Sequence, residues 1–354
     1  MRPEVRRTAC LSCLAYGLVA IGAARADTLL VVNRGGDNAM IFRDALAARG
    51  EGPKPVATFA TGTGSHDAAT SPDGRLGVVT VYGNQAPNNK LVVVDLAGAE
   101  LKRTIDLGEY RRPHGVVWFA DNRHVLVTAE MNEKIIKVDT TEGKVVRAWS
   151  TGQKASHMLV MSPDEKRAYT ANVADHSVSV IDLTSDGKEP LKIIKTAPGC
   201  EGIAITPDGK QVWTADRAAG KVSVIDTEKL EVVASLDAPG VPIRVAITSD
   251  GGHAFVPRAN AGKVSVFRVA DRKLVKEIDT RPPPGVGKAL PSEGPMANQD
   301  APMGIAPSPT GKVMYVCNLL SGTVAHIDVE TLEVVAHTRA GEIPDGVAAA
   351  SEKS

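Results

Sequence analysis

His66, His114 and His157 are the residues of this chain best placed to do chemistry. They are three of eight histidines in 354 residues, and each falls at the same point of a recurring pattern, a small polar turn followed by an apolar strand. Followed at that spacing, the position reads His66, His114, His157, Cys200, Ile243, Met303 and Asp345, with gaps of 48, 43, 43, 43, 60 and 42 residues. Imidazole is a ligand for zinc, copper, iron and nickel, and three of them around an open fourth position can bind or catalyse. Cys200, next in order, and Met303 would add soft sulfur ligands that favour copper. Asp67 and Glu201 stand beside the recurring position and are candidates to orient a histidine or to serve as a general base. The plain alternative is a wet cleft in which the histidines meet only water and backbone. His124, His176, His253, His326 and His337 fall on outer strands or turns, where local hydrogen bonding accounts for them.

Arginines form a second group. Arg34, Arg217 and Arg258 each follow an apolar strand, and Arg244 follows Ile243. A guanidinium fork suits a carboxylate or phosphate, so these four are candidate ligand-binding residues. Solvated arginines capping strand ends would look the same.

The elements that must position these side chains are repeats. A period near 43 residues indicates a propeller or solenoid. One copy, Gly202 to Gly240, reads as four short strands: GIAITPDGK ending in a Pro-Asp-Gly turn, QVWTAD, KVSVIDTEK and LEVVASLDAPG. Four alternating strands joined by tight turns make one antiparallel blade. The turn chemistry recurs at Ser71-Pro72-Asp73-Gly74, Thr206-Pro207-Asp208-Gly209 and Ser308-Pro309-Thr310-Gly311. There proline presets φ and glycine supplies a positive one.

First strands number seven, while residues 28–60 offer three strands and the C-terminus one, DGVAAAS. A blade built from both chain ends closes a ring and leaves no bare sheet edge. The expectation is an all-β, seven-bladed β-propeller over residues 27–354, with the last blade completed by N-terminal strands plus a C-terminal strand. The recurring position would then ring one mouth of the axial channel, with the arginines on the half away from the histidines. The segment RPPPGVGKALPSEGPMANQDAP, which lengthens the 60-residue gap, is expected to form a partial lid there.

Residues 1–26 read as a secretory signal: Arg2, Arg6 and Arg7, an apolar run from Leu11 to Gly22, and Ala24-Arg25-Ala26 before Asp27. The run is too short to span a bilayer, and a periplasmic or secreted chain is expected. Removal takes four basic residues and one acid from totals of 41 and 41, leaving 37 and 40. That balance gives no reason to expect nucleic acid as a partner. Cys200 and Cys317 are the cysteines left, too few for a disulfide framework, and no C-x-x-C-H exists to attach a covalent haem.

The copies SPDEKRAYTANVADHSVSVIDL and TPDGKQVWTADRAAGKVSVIDT resemble the YVTN-type (YncE-like) β-propeller repeat family, across nearly all of residues 28–350. The resemblance implies the propeller and leaves chemistry open, because propellers host binders and enzymes alike. Two classes of function follow. One is a monomeric periplasmic propeller that binds copper, zinc or iron, a small anionic ligand, or both, at the channel mouth. It would act as a metal-dependent hydrolase similar to the propeller lactonases, or as an oxidoreductase. The other is a non-enzymatic scaffold for envelope proteins.

Overall fold

The computed structural model describes residues 27–287 and 300–351. The signal segment 1–26 and most of the expected lid, 288–299, lie outside the described residues. The chain forms a seven-bladed β-propeller, seven antiparallel sheets built on four strands each. Blades are numbered from the one that carries His66. The innermost strands of blades 1 to 4 are Ser65–Thr70, Pro113–Trp118, Ser156–Met161 and Cys200–Ile205; those of blades 5 to 7 are Ala246–Ile247, Pro302–Pro307 and Pro344–Ala350. Blade 7 joins the chain ends: Pro344–Ala350 pairs antiparallel with Thr28–Asn33, which pairs with Asn38–Phe42, which pairs with Pro55–Ala60.

The period-two alternation of the repeats becomes two buried faces per blade, and each face packs against a neighbour. Seven apolar clusters result, one at every blade interface. Tyr169 and Val212 meet between blades 3 and 4; Leu30 and Val79 meet between blades 7 and 1. Burial is therefore distributed round the ring rather than gathered in one core. The fourth strands are outermost and the most exposed, as in Glu100–Asp106. On blade 6 that outer edge gains a two-residue parallel strand, Gly50–Glu51, on Glu333–Arg339, which the alternation pattern did not foretell. No helix among the described residues is long and apolar enough to cross a membrane.

Candidate functional site at the channel mouth

The register of the innermost strands decides which residues face one another at the mouth. In blade 3 Ser156 pairs with Asn172 and Met158 with Ala171, so His157 is bulged out of the ladder. In blade 4 Cys200 pairs with Asp216 and Gly202 with Ala215, so the bulged residue is Glu201. His66 and Asp67 bulge in blade 1 and His114 and Gly115 in blade 2. A bulge re-aims side chains at the rim of a sheet.

The backbone confirms this register. The residue two before the bulge has positive φ in all seven blades: Gly64, Arg112, Ala155, Gly199, Val241, Ala301 and Ile343, between 49° and 87°. The ring therefore reads His66, His114, His157, Glu201, Ile243, Met303, Asp345. Cys200 is one residue out of place. It stands where Ser65 and Ser156 stand, buried in the cluster between blades 3 and 4, and burial raises its thiol pKa. The metal-ligand role expected for it is corrected on that ground.

The next position round the ring alternates for a steric reason. A Cβ on Gly202 would lie 2.4 Å from the Ile243 carbonyl oxygen, and one on Gly304 would lie 1.9 Å from that of Asp345. Side chains occur only at Asp67, Met158 and Arg244, on blades 1, 3 and 5, never on adjacent blades. These three meet across the channel. Arg244 Nη1 lies 3.5 Å from Asp67 Oδ2 and against Met158 Sδ. Beyond this layer the axis continues as a void of about 420 Å³ between the innermost strands.

Above it the histidines form an arc. The ring centroids of His66 and His114 are 4.1 Å apart and those of His114 and His157 are 3.6 Å apart. A carboxylate closes each end: Asp345 Oδ2 is 3.2 Å from His66 Nδ1, and Glu201 Oε1 is 3.7 Å from His157 Nε2. A guanidinium backs each carboxylate, with Arg34 Nη1 3.6 Å from Asp345 and Arg217 Nη1 2.5 Å from Glu201. Tyr82 stands edge-on to His66, His114 and His157, at 5.4, 5.4 and 6.2 Å between centroids. Its hydroxyl donates to Glu130 Oε1 at 2.8 Å, and Glu130 Oε2 is 2.6 Å from His157 Nδ1. Arg112 lies 4.5 Å over the Tyr82 ring.

Burial, then Arg244, holds His66 well below the usual imidazole range. Burial and the His157 ring do the same to His114. Burial pushes Asp345 and Asp67 up against the pull of Arg244. Burial would also raise Glu130, but its bonds to His157 and Tyr82 outweigh it and hold the carboxyl below its ordinary value. Burial and the Glu130 carboxylate push the Tyr82 phenol up to about 12.

Residues 162–290 match the family model of the YNCE-like beta-propeller. No curated protein matches the sequence. Among solved structures, hydrazine synthase of Kuenenia stuttgartiensis is similar at a TM-score of 0.65 and 19% identity, over 80% of this chain and 89% of that one. A functionally unknown protein of Desulfotomaculum acetoxidans aligns at 0.72 and 15% identity, over 92% and 99% of the two chains. The dihydro-heme d1 dehydrogenase NirN, in complex with DHE, aligns at 0.59 and 19%, over 89% of this chain and 63% of that one. At these identities the likeness is one of fold.

The arginines do not gather on the half of the ring away from the histidines. Arg34 and Arg217 back the two ends of the arc, and Arg244 crosses beneath it. Arg258 is 4% exposed and tied to the Pro239 carbonyl at 3.0 Å and to Glu277. It braces blade 5 and is no part of the mouth. Tyr82, Glu130 and Arg112 were missed as site residues. The signal for Tyr82 was the 48-residue gap, because blade 1 carries a longer hairpin, Leu76–Gly83 with Pro87–Asp95, that brings the ring over the arc.

The three imidazoles are tilted 52° and 35° from one to the next and do not converge on one point. Among the described residues, as their side chains stand, no group of three His, Cys, Asp or Glu is arranged to hold a metal ion, so binding one requires the rings to turn. Both ring nitrogens of His114 are nonetheless buried without a hydrogen-bond partner, whereas His66 Nδ1, Asp345 Oδ2 and Glu201 Oε2 are held by the ion-pair contacts given above.

Proposed function

We propose that this chain is an exported β-propeller whose axial mouth binds a transition-metal ion through His66, His114 and His157, with Glu201 and Asp345 as oxygen ligands at the two ends of the arc. One observation carries the reading. His114 is fully buried, yet neither of its ring nitrogens has a partner. Buried polar groups left unpaired are costly, and an unpartnered imidazole at this place favours an occupant that uses its lone pair.

Replacing Cys200 by Glu201 in the ring changes the metal that suits it. A nitrogen–oxygen donor set fits zinc or iron, whereas a thiolate would have favoured copper. Glu130 supports the set from outside. Its carboxylate on His157 Nδ1 directs the other ring nitrogen toward the arc, the usual backing of a metal-bound histidine. Once bound, a metal supplies a Lewis acid that polarises an oxyanion or a water, the chemistry a hydrolase similar to the propeller lactonases would need. The signal segment supports a periplasmic or secreted location.

The test is a zinc titration of the mature protein against a competing chelator. One zinc per chain is expected. His114→Ala should lose more affinity than the roughly 10–100-fold that a supporting contact is worth, while His337→Ala, whose Nε2 sits 3.0 Å from the Thr280 carbonyl oxygen, should bind like the parent. Equal zinc affinity in parent and His114→Ala would overturn the reading and favour the scaffold.

A further inference from the structure

The ends of the arc carry a second inference, which rests on the metal reading. Asp345 and Glu201 are each contested by two cations or would-be cations. Asp345 lies 3.2 Å from His66 and 3.6 Å from Arg34; Glu201 lies 3.7 Å from His157 and 2.5 Å from Arg217. Asp345 meets both of its partners through Oδ2 and leaves Oδ1 without a partner, and Glu201 meets Arg217 through Oε2 while Oε1 stands 3.7 Å from His157. The two acids are buried, with side-chain exposures of 0% and 9%, whereas Arg34 and Arg217 are 42% and 46% exposed.

Charge makes the same point. The acids of the mouth are Asp67, Glu130, Glu201 and Asp345. Facing them are Arg34, Arg112, Arg217 and Arg244, so the site is balanced before anything binds. A dication alone would leave two positive charges in a largely desolvated place, which is unfavourable unless an anion accompanies it.

We propose that the metal ion and a small dianionic oxyanion load together. Asp345 and Glu201 pass from their arginines to the metal, and Arg34 and Arg217, freed at opposite ends of the arc, take the anion between them. The shared ligand chemistry is two negative charges on oxygens within reach of two guanidinium forks. An inorganic tetrahedral dianion and a dicarboxylate both offer it. No bond to either is made or broken in this exchange of ion pairs.

Linkage makes the proposal measurable, because if the anion tightens the metal, the metal must tighten the anion by the same factor. Zinc affinity of the mature protein is measured in chloride, in sulfate and in succinate. Sulfate or succinate should raise it by about tenfold, within the usual range of coupling, and zinc should raise the affinity for that same anion equally. The anion that produces the coupling identifies the source, mineral or organic. In the Arg34→Gln/Arg217→Gln double variant the coupling factor should fall to about one. Zinc that binds equally well in all three media overturns this inference and leaves the metal site standing; absence of zinc binding in every medium overturns the metal site itself. Either anion binding as tightly without zinc as with it would also overturn the coupling.

Discussion

Glu201 and Cys200 are neighbours with opposite surroundings, and the difference is one of bulge register. Glu201 is turned out toward His157, while Cys200 keeps its place in the ladder opposite Asp216 and faces an apolar interface. Glu201→Gln should therefore weaken zinc binding, because an amide oxygen is a poorer ligand than a carboxylate. Cys200→Ser should leave zinc binding as it is and change stability by no more than about 1 kcal/mol, since serine already fills the equivalent sites. Ser156 Oγ donates to Asn172 at 2.7 Å and Ser65 Oγ to Thr61 at 2.6 Å. Both variants are read by the same chelator titration and by urea unfolding. The reverse result, with Cys200→Ser losing metal and Glu201→Gln keeping it, would restore the soft-ligand ring. This residue is also where the sequence misleads. Three histidines at a common position are visible by spacing alone, but a constant 43-residue step overshoots nothing and lands one residue short, on Cys200. The lead-ins SHD, PHG, SHM and CEG carry the correct alignment, with glutamate as the middle letter.

At the scale of the strand, the second strand of a blade ends opposite the residue that precedes the bulge. That end position is Asn33 in blade 7, Asn172 in blade 3, Asn318 in blade 6 and Asp216 in blade 4. Asp216 is fully buried and accepts from Ser223 at 2.6 Å and Thr214 at 3.0 Å, yet burial pushes its carboxyl up to about 6. A raised acid binds its proton more tightly folded than unfolded, so stability falls as pH rises from the unfolded value near 4 to about 6, and the loss is complete above that. Asp216→Asn removes the titration and copies the other blades, where Asn172 donates to Ser179 at 2.9 Å. The variant should match the parent near pH 4 and exceed it at pH 7 by on the order of 2 kcal/mol. Urea unfolding at the two pH values checks this, and a constant difference between the proteins would count against it. The strands themselves were legible because alternation repeats from copy to copy and turns of the Pro-Asp-Gly kind recur in several of them. The contacts of Tyr82 and Glu130 were not, since they lie on different blades and meet only through the ring.

At the scale of the whole molecule, closure makes the site. Blade 7 places Asp345, from the C-terminal strand, beside Arg34, which follows the N-terminal strand, and beside His66 of blade 1. Seven interblade clusters hold the blades at one pitch, so the rings of three histidines separated by 48 and 43 residues lie with centroids 4.1 and 3.6 Å apart. The ring count was legible from the repeat and from the incomplete ends of the chain. What lay beyond it was the division of the axis into a polar mouth and a void beneath the Asp67–Arg244 layer, which depends on three side chains from alternate blades. The central claim is that a metal sits in that mouth, and it is tested most directly by anomalous diffraction at the zinc edge from crystals of the zinc-loaded protein. The account predicts one peak on the axis, about 2.0–2.1 Å from a ring nitrogen of each of His66, His114 and His157, with the imidazoles turned toward it. A map with no axial peak and the three rings unturned would contradict it.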